Sequence, residues 1–131
     1  ANTTMQSLRD VMANVLYTIW IRTGDQNLAG TDSNVYLQLI GTTFQTDFIH
    51  LPPQDIFAFE SSSIDKFVLD VPDLGNITRC CVQHDNSEGD SGWYVVDARI
   101  QNQQTGQEWT FSFNQWLGIE ESGILSACSD Q

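Results

Sequence analysis

The sequence predicts an all-β protein, an antiparallel β-sandwich. Six segments alternate apolar and polar residues with a period of two, as half-buried strands do. Clusters of Gly, Pro, Asn, Asp and Ser separate them, among them "LPPQD", "PDLGN", "DNSEGDSG" and "QQTGQ". The chain has 131 residues, 40 % of them hydrophobic, which is enough for one domain with its own core.

Each alternating segment presents one face to the predicted core. In chain order these faces carry Tyr17, Ile19 and Ile21; Val35, Leu37 and Leu39; Phe67, Leu69 and Val71; Cys80 and Val82; Tyr94, Val96, Ala98 and Ile100; and Trp109, Phe111 and Phe113. Before the first strand, apolar residues at helical spacing predict a short helix, with a loosely held arm as the alternative. We therefore divide the chain into an arm or helix over residues 1–14, a sandwich over 15–118 and a tail over 119–131.

The charge balance narrows the possible functions. Seventeen acidic residues face five basic ones, a net charge of -12. Nucleic-acid binding needs a cationic surface, so we exclude it, and simple attraction to an anionic membrane is disfavoured. No apolar run is long enough to span a bilayer. The excess of acidic residues either keeps the protein soluble or supplies oxygen ligands to a hard cation such as Ca²⁺.

The three cysteines are too few for a four-ligand zinc site and predict one disulfide plus one thiol. Cys80 shares a strand face with Val82 and is expected to be buried, which leaves Cys81 to reach Cys128 in the tail. The triplets "NTT" at Asn2 and "NIT" at Asn76 are glycosylation acceptors. With the cysteines and a start at "ANTT" without an initiator Met, they predict a secreted protein.

Residues suited to catalysis are sparse. The sequence has no nucleophile elbow, phosphate-binding loop or dinucleotide fingerprint. Only His50 and His84 offer an imidazole base, and their positions in a loop and at a strand end favour structural roles. The acidic residues fall in polar loops, whereas acid–base catalysis needs a carboxyl group in an apolar pocket. We therefore predict that the protein is not an enzyme.

Two acidic loops are the candidate metal site. "GDQNLAGTDSN" carries Asp25 and Asp32, and "HDNSEGDSG" carries Asp85 and Asp90. Loops at one end of an antiparallel sandwich cluster, so their carboxylate and backbone oxygens would converge as Ca²⁺ requires. The alternative is that Asp and Asn are simply good turn residues.

Several motifs in order resemble the PLAT (lipoxygenase-homology) domain. They are "TGD", "AGTD" with the following strand, "FE", a D-x-F strand, "LG", "HDN", a "GW" strand and the aromatic "WL" segment, spanning residues 17–117. The resemblance implies an eight-stranded antiparallel β-sandwich without catalytic activity. Such domains associate with lipid surfaces or protein partners, in several cases with Ca²⁺.

Position by position, the resemblance implies which residues take part. The candidate calcium ligands are Leu28 and Gly30 through backbone carbonyls, with Asp32, Glu60, Asp85 and Asp90. Leu28 also occupies the loop tip that contacts lipid in relatives, whereas Phe57 and Ala58 replace polar ligands of a second family site. We therefore predict a secreted binding module for lipid surfaces or protein partners, with Ca²⁺ as its cofactor. The alternative is a protein-interaction domain that binds neither lipid nor metal.

Overall fold

The computed structural model describes residues 13–55, 57–87 and 92–131, which form eight antiparallel strands in two sheets. The first sheet has the order β4-β1-β6-β7 and the second has the order β3-β2-β5-β8. The strands are β1 Asn14–Thr23, β2 Val35–Gly41, β3 Ile49–Leu51, β4 Ile64–Pro72, β5 Ile77–His84, β6 Trp93–Asn102, β7 Glu108–Leu117 and β8 Ser126–Asp130. The predicted β-sandwich is confirmed, and the predicted N-terminal helix or arm lies almost wholly in residues 1–12, outside the described residues.

The core lies between the two sheets and follows the predicted alternation. In β1, the side chains of Tyr17, Ile19 and Ile21 are fully buried. Leu37 on β2 and Phe111 on β7 are buried in the same cluster. Because strand side chains alternate between faces, the intervening residues of the first sheet form its outer surface.

Strand β6 departs from the prediction. We predicted that Tyr94 and Val96 would face inward with Ala98, but both are only half-buried, and Trp93 and Val95 fill the core instead. The register with β7 shifts between Val95 and Asp97, the signature of a β-bulge. A bulge adds one residue to the strand, so the faces exchange at that point.

The predicted disulfide joins Cys81 and Cys128, whose Cα atoms are 4.0 Å apart on directly paired strands. Cys80 is the buried free thiol, as predicted, and burial raises the pKa of its thiol group. The segment 119–131, which we had separated as a tail, contributes β8 on the edge of the second sheet. The sandwich therefore extends beyond residue 118.

The sequon at Asn76 lies in the turn before β5, and its side chain is exposed. The Oδ1 atom of Asn76 accepts a hydrogen bond of 2.9 Å from Nε1 of Trp109, which leaves its amide nitrogen directed elsewhere. Glycosylation of Asn76 stays a prediction, and Asn2 lies outside the described residues.

Four connections meet at one end of the sandwich, because β1, β3, β5 and β7 end there and β2, β4, β6 and β8 begin there. We call this the loop end. Its described residues are 24–34, 52–55, 57–63, 85–87, 92 and 118–125.

Candidate functional site

The loop between β1 and β2 is fastened to the start of β6. Nε1 of Trp93 donates a buried hydrogen bond of 2.9 Å to Oγ1 of Thr23. The backbone N–H of Gly24 donates to the carbonyl of Tyr94, and the N–H of Tyr94 donates to the carbonyl of Ala29, each at 2.9 Å. The loop is therefore held at its start and at its middle by one strand.

A second connection, residues 57–63, packs against the same loop. The N–H of Thr31 donates to the carbonyl of Phe59, and the N–H of Ser62 donates to the carbonyl of Gly24. A Cβ atom at Gly30 would lie 2.8 Å from both the Cα of Glu60 and the carbonyl oxygen of Phe59. Only glycine allows this approach without a backbone shift, and it brings two of the predicted ligand positions, Gly30 and Glu60, together.

The two acidic loops do meet, and Asp85 makes the contact. Its carboxylate accepts hydrogen bonds from the backbone N–H of Asn34 at 3.1 Å, the side-chain amide of Asn34 at 2.8 Å and the N–H of Ser87 at 3.0 Å. Partial burial acts to raise the pKa of Asp85, but these hydrogen bonds outweigh it and hold the pKa below its ordinary value. Asp85 thus fixes the position of both loops.

The histidine at the end of β5 also has a structural role. Nε2 of His84 lies in a buried hydrogen bond of 2.9 Å with Oγ1 of Thr31. That hydroxyl oxygen also accepts a bond of 3.1 Å from the N–H of Ser33. The imidazole is fully buried, so it links strand and loop rather than facing a substrate.

The described residues fit a calcium site only in part. Gly30 and Glu60 are adjacent, and Asp32 is exposed in the same loop, but Asp85 uses both carboxylate oxygens within the protein. Asp90 lies outside the described residues. Among those that are described, no group of three or more His, Cys, Asp or Glu side chains could hold a metal ion.

Large apolar side chains project from the loop end. The tip residue Leu28, with φ of 61°, is 79 % exposed, and Phe57 in the neighbouring connection is 68 % exposed. Ile119 and Ile124, between β7 and β8, are 59 % and 47 % exposed. Of these four residues, only Leu28 was expected from the sequence to contact lipid. The sequence carries no signal that separates Phe57 from Phe59, which stands two positions later in the same segment and is buried.

Two antiparallel four-stranded sheets with long connections at one end define a β-sandwich domain. A family model described as "PLAT/LH2 domain" matches residues 17–125, and the chain belongs to this family. The chain is 32 % identical over 105 residues to human lipoxygenase homology domain-containing protein 1, and 31 % identical over 112 residues to the mouse polycystin family receptor for egg jelly. These matches cover 80 % and 85 % of the chain but only 5 % of each relative.

Solved structures share the fold at lower identity. Coral 8R-lipoxygenase, described as activated by calcium through a C2-like domain, superposes with a TM-score of 0.75 at 22 % identity, covering 88 % of this chain and 16 % of that one. The alpha-toxin of Clostridium perfringens superposes with a TM-score of 0.66 at 14 % identity, covering 92 % of this chain and 32 % of that one. No helix among the described residues is long and apolar enough to cross a bilayer.

Proposed function

We propose that this PLAT domain is a non-catalytic module that docks on lipid surfaces through its loop end. The observation that carries the proposal is the set of exposed apolar side chains there, above all Leu28, Phe57 and Ile119. They come from three separate connections, all placed at this end by the strand order. Apolar residues exposed together on a polar rim mark a surface that contacts lipid or another protein.

The strength of such docking can be bounded. Full burial of a Leu, Ile or Phe side chain contributes about 1.5–3 kcal/mol, so three tips contribute roughly 4–9 kcal/mol before the cost of association. A single myristoyl chain, which binds reversibly with a constant of about 10⁴ M⁻¹, falls in the same range. The loop end therefore supports reversible association with a membrane surface rather than permanent attachment.

The membrane should be zwitterionic rather than anionic. The apolar tips share the loop end with the exposed carboxylates of Asp25, Asp32 and Glu60. The chain as a whole carries a net charge of -12. Like charges repel an anionic leaflet, whereas phosphatidylcholine carries no net charge to oppose the approach.

The test is sedimentation with phosphatidylcholine vesicles. Wild-type protein should pellet with the vesicles, and the double variant L28S/F57S should bind roughly 100-fold more weakly, because it loses about 3 kcal/mol of apolar transfer. F44S is the matched control, since Phe44 is 41 % exposed but follows β2, at the opposite end of the sandwich. Equal binding of L28S/F57S and wild type, or an equal loss in F44S, would contradict the proposal.

Calcium dependence is a further part of the proposal. The candidate ligands are the carbonyls of Leu28 and Gly30 with the carboxylates of Asp32, Glu60 and Asp90. A bound ion would offset the negative charge beside the apolar tips. What supports this is the adjacency of Gly30 and Glu60 and the acidity of the loop end. Calorimetric titration to millimolar Ca²⁺ should show binding and a raised melting temperature, and E60Q should weaken both. A titration without heat and without a shift in melting temperature would remove calcium from the proposal.

The second candidate is a protein-interaction domain that binds neither lipid nor metal. The same apolar tips would then contact a protein, and vesicles would fail to pellet the chain both with and without Ca²⁺.

Secretion is proposed for either case, because the Cys81–Cys128 disulfide is stable in oxidising compartments. Expression with a secretory signal should give an oxidised, glycosylated product, and retention of free thiols at both positions would argue for a reducing compartment.

A further inference from the structure

Three of the five basic residues lie on the outer face of the first sheet: Arg22, Lys66 and Arg99 all point outward from β1, β4 and β6. In the described part of the chain, the same face carries three acidic residues: Asp97, which pairs with Arg22 at 2.6 Å, and Asp70 and Glu108, which lie opposite Leu16 and Gln101 rather than opposite Trp20. The positive charge is therefore local, around Trp20. We call the surface formed by Trp20, Arg22, Ile64, Lys66, Val68 and Arg99 the basic face.

The strand register sets the spacing of this face. Trp20 on β1 pairs with Lys66 on one side and with Arg99 on the other. Side chains directly opposite in a sheet are about 5 Å apart, so the indole lies between two cations. The guanidinium carbon of Arg99 lies 4.1 Å from the centroid of the Trp20 ring, which is a cation–π contact.

Two of these cations, Lys66 and Arg99, are available to bind an anionic ligand. Among the described residues, ion pairs form between Arg22 and Asp97 and between Arg79 and Asp130, and none involves Lys66 or Arg99. An open groove of about 300 Å³ adjoins the indole, lined by Trp20, Arg22, Ile64, Asp97, Arg99 and Thr110. Guanidinium groups recognise carboxylates with two parallel hydrogen bonds, and Lys66 adds a mobile charge beside them.

Exposed aliphatic side chains flank the cations. Ile64 is 64 % exposed and Val68 is 53 % exposed, one on each side of Lys66 along β4. β4 is also the edge of its sheet, so a partner can reach these residues from the side as well as from above. Apolar residues around Trp and Arg are the composition of protein-binding hot spots.

We propose that the basic face binds an acidic, extended segment of a protein partner, with carboxylates at Lys66 and Arg99 and aliphatic side chains at Ile64 and Val68. The other acidic residues of the chain repel an anionic bilayer and so disfavour binding of this face to a membrane. A short segment contacts this face alone, and at physiological ionic strength charges farther than about 8 Å are screened. Arg22 and Ile64 adjoin the loop end and line a depression with Gly24, Asp25 and Ser62. None of Leu28, Phe57 and Ile119 belongs to the basic face, so the proposal does not depend on lipid docking.

The test uses a fluorescein-labelled decapeptide of alternating Leu and Glu, with a Leu–Lys decapeptide as the probe of opposite charge. Fluorescence polarisation should show binding of the Leu–Glu peptide only, weakened at high salt. The double variant K66E/R99E should bind at least tenfold more weakly, because each reversal replaces an attraction with a repulsion. The matched control is R79E, which reverses a cation on the second sheet that is paired with Asp130.

Three further measurements serve as controls for this experiment. Melting temperatures check that the variants fold, and K66E alone serves if R99E destabilises β6 by removing the contact with Trp20. L28S/F57S should retain full peptide binding, which separates this site from the loop end. Three results would overturn the proposal. Peptide binding could be unchanged in K66E, or R79E could lose peptide binding to the same extent as K66E/R99E. The third is that K66E/R99E loses binding to phosphatidylserine vesicles but keeps binding to the peptide.

Discussion

Removal of the Cys81–Cys128 disulfide should release β8 from the sandwich. β8 is an edge strand of five residues whose side chains alternate between exposed and half-buried, so it adds little apolar burial of its own. The disulfide closes a loop with a sequence separation of 47 residues. In the chain-entropy model a loop of this length stabilises the folded state by about 4 kcal/mol. We therefore expect C81A/C128A to lower the free energy of unfolding by about 2–4 kcal/mol, the lower value applying where β8 detaches before the rest unfolds.

Urea unfolding and native-state amide hydrogen exchange measure the two parts of this expectation. The variant should unfold at lower urea, and the amides of Ala127 and Ser129 should lose protection while those of β1 and β6 keep it. Wild-type protein in reductant should behave as the variant does, and the variant should not respond to reductant. The buried Cys80 cannot substitute for either partner. An unchanged midpoint with β8 still protected would refute the reasoning, because strand pairing alone would then hold β8.

Further expected outcomes concern single hydrogen bonds and the sequon. Y17F should lower the free energy of unfolding by about 1–3 kcal/mol, since the buried N–H of Leu74 donates to the Tyr17 hydroxyl at 2.9 Å and would lose its acceptor; urea unfolding measures this. Because the pKa of Asp85 is lowered in the folded state, its carboxylate stabilises the fold above the unfolded-state pKa of about 4, and this contribution disappears as the pH falls through the folded value. D85N should therefore be less stable than wild type at pH 7, by about 1 kcal/mol, and the difference should shrink by pH 3. Expressed through a secretory route, N76Q should lack a glycosidase-sensitive mass that wild type carries, and identical masses would remove Asn76 as an acceptor.

The sequence predicts strand faces well wherever the ladder is regular. Tyr17, Leu37 and Phe111 were assigned to the core because burial selects apolar residues at every second position. The same rule fails in the first part of β6, because the bulge near Val96 exchanges the faces: Ala98 and Ile100 after the bulge are buried as predicted, whereas Tyr94 before it is not. β8 escaped prediction because "SACSD" has no apolar alternation, and its place depends on pairing with β5 and on the disulfide.

The candidate site was harder to predict than the fold. Clustering of the acidic loops follows from the topology, but the sequence cannot say which way a carboxylate turns. Asp85 turns inward to Asn34, where hydrogen-bond donors are available, and so differs from Asp32, which is exposed. The exposure of Phe57 was not predicted, because it depends on which aromatic residue of the segment packs inward, and Phe59 packs against Trp93.

The polar residues of the loop between β1 and β2 therefore stabilise the fold, whether or not the loop binds a ligand. Thr23 holds the indole of Trp93, Thr31 holds His84, and Gly30 admits the backbone of Glu60. These contacts stay within the protein, and a change at any of them would move the loop. The side chain of Leu28 is largely exposed and packs little against the domain, so substitution there should alter binding with little effect on stability. The contacts that position this loop and its exposed tip thus involve different residues, so under the proposed function the tip can be varied without a change in the sandwich beneath it.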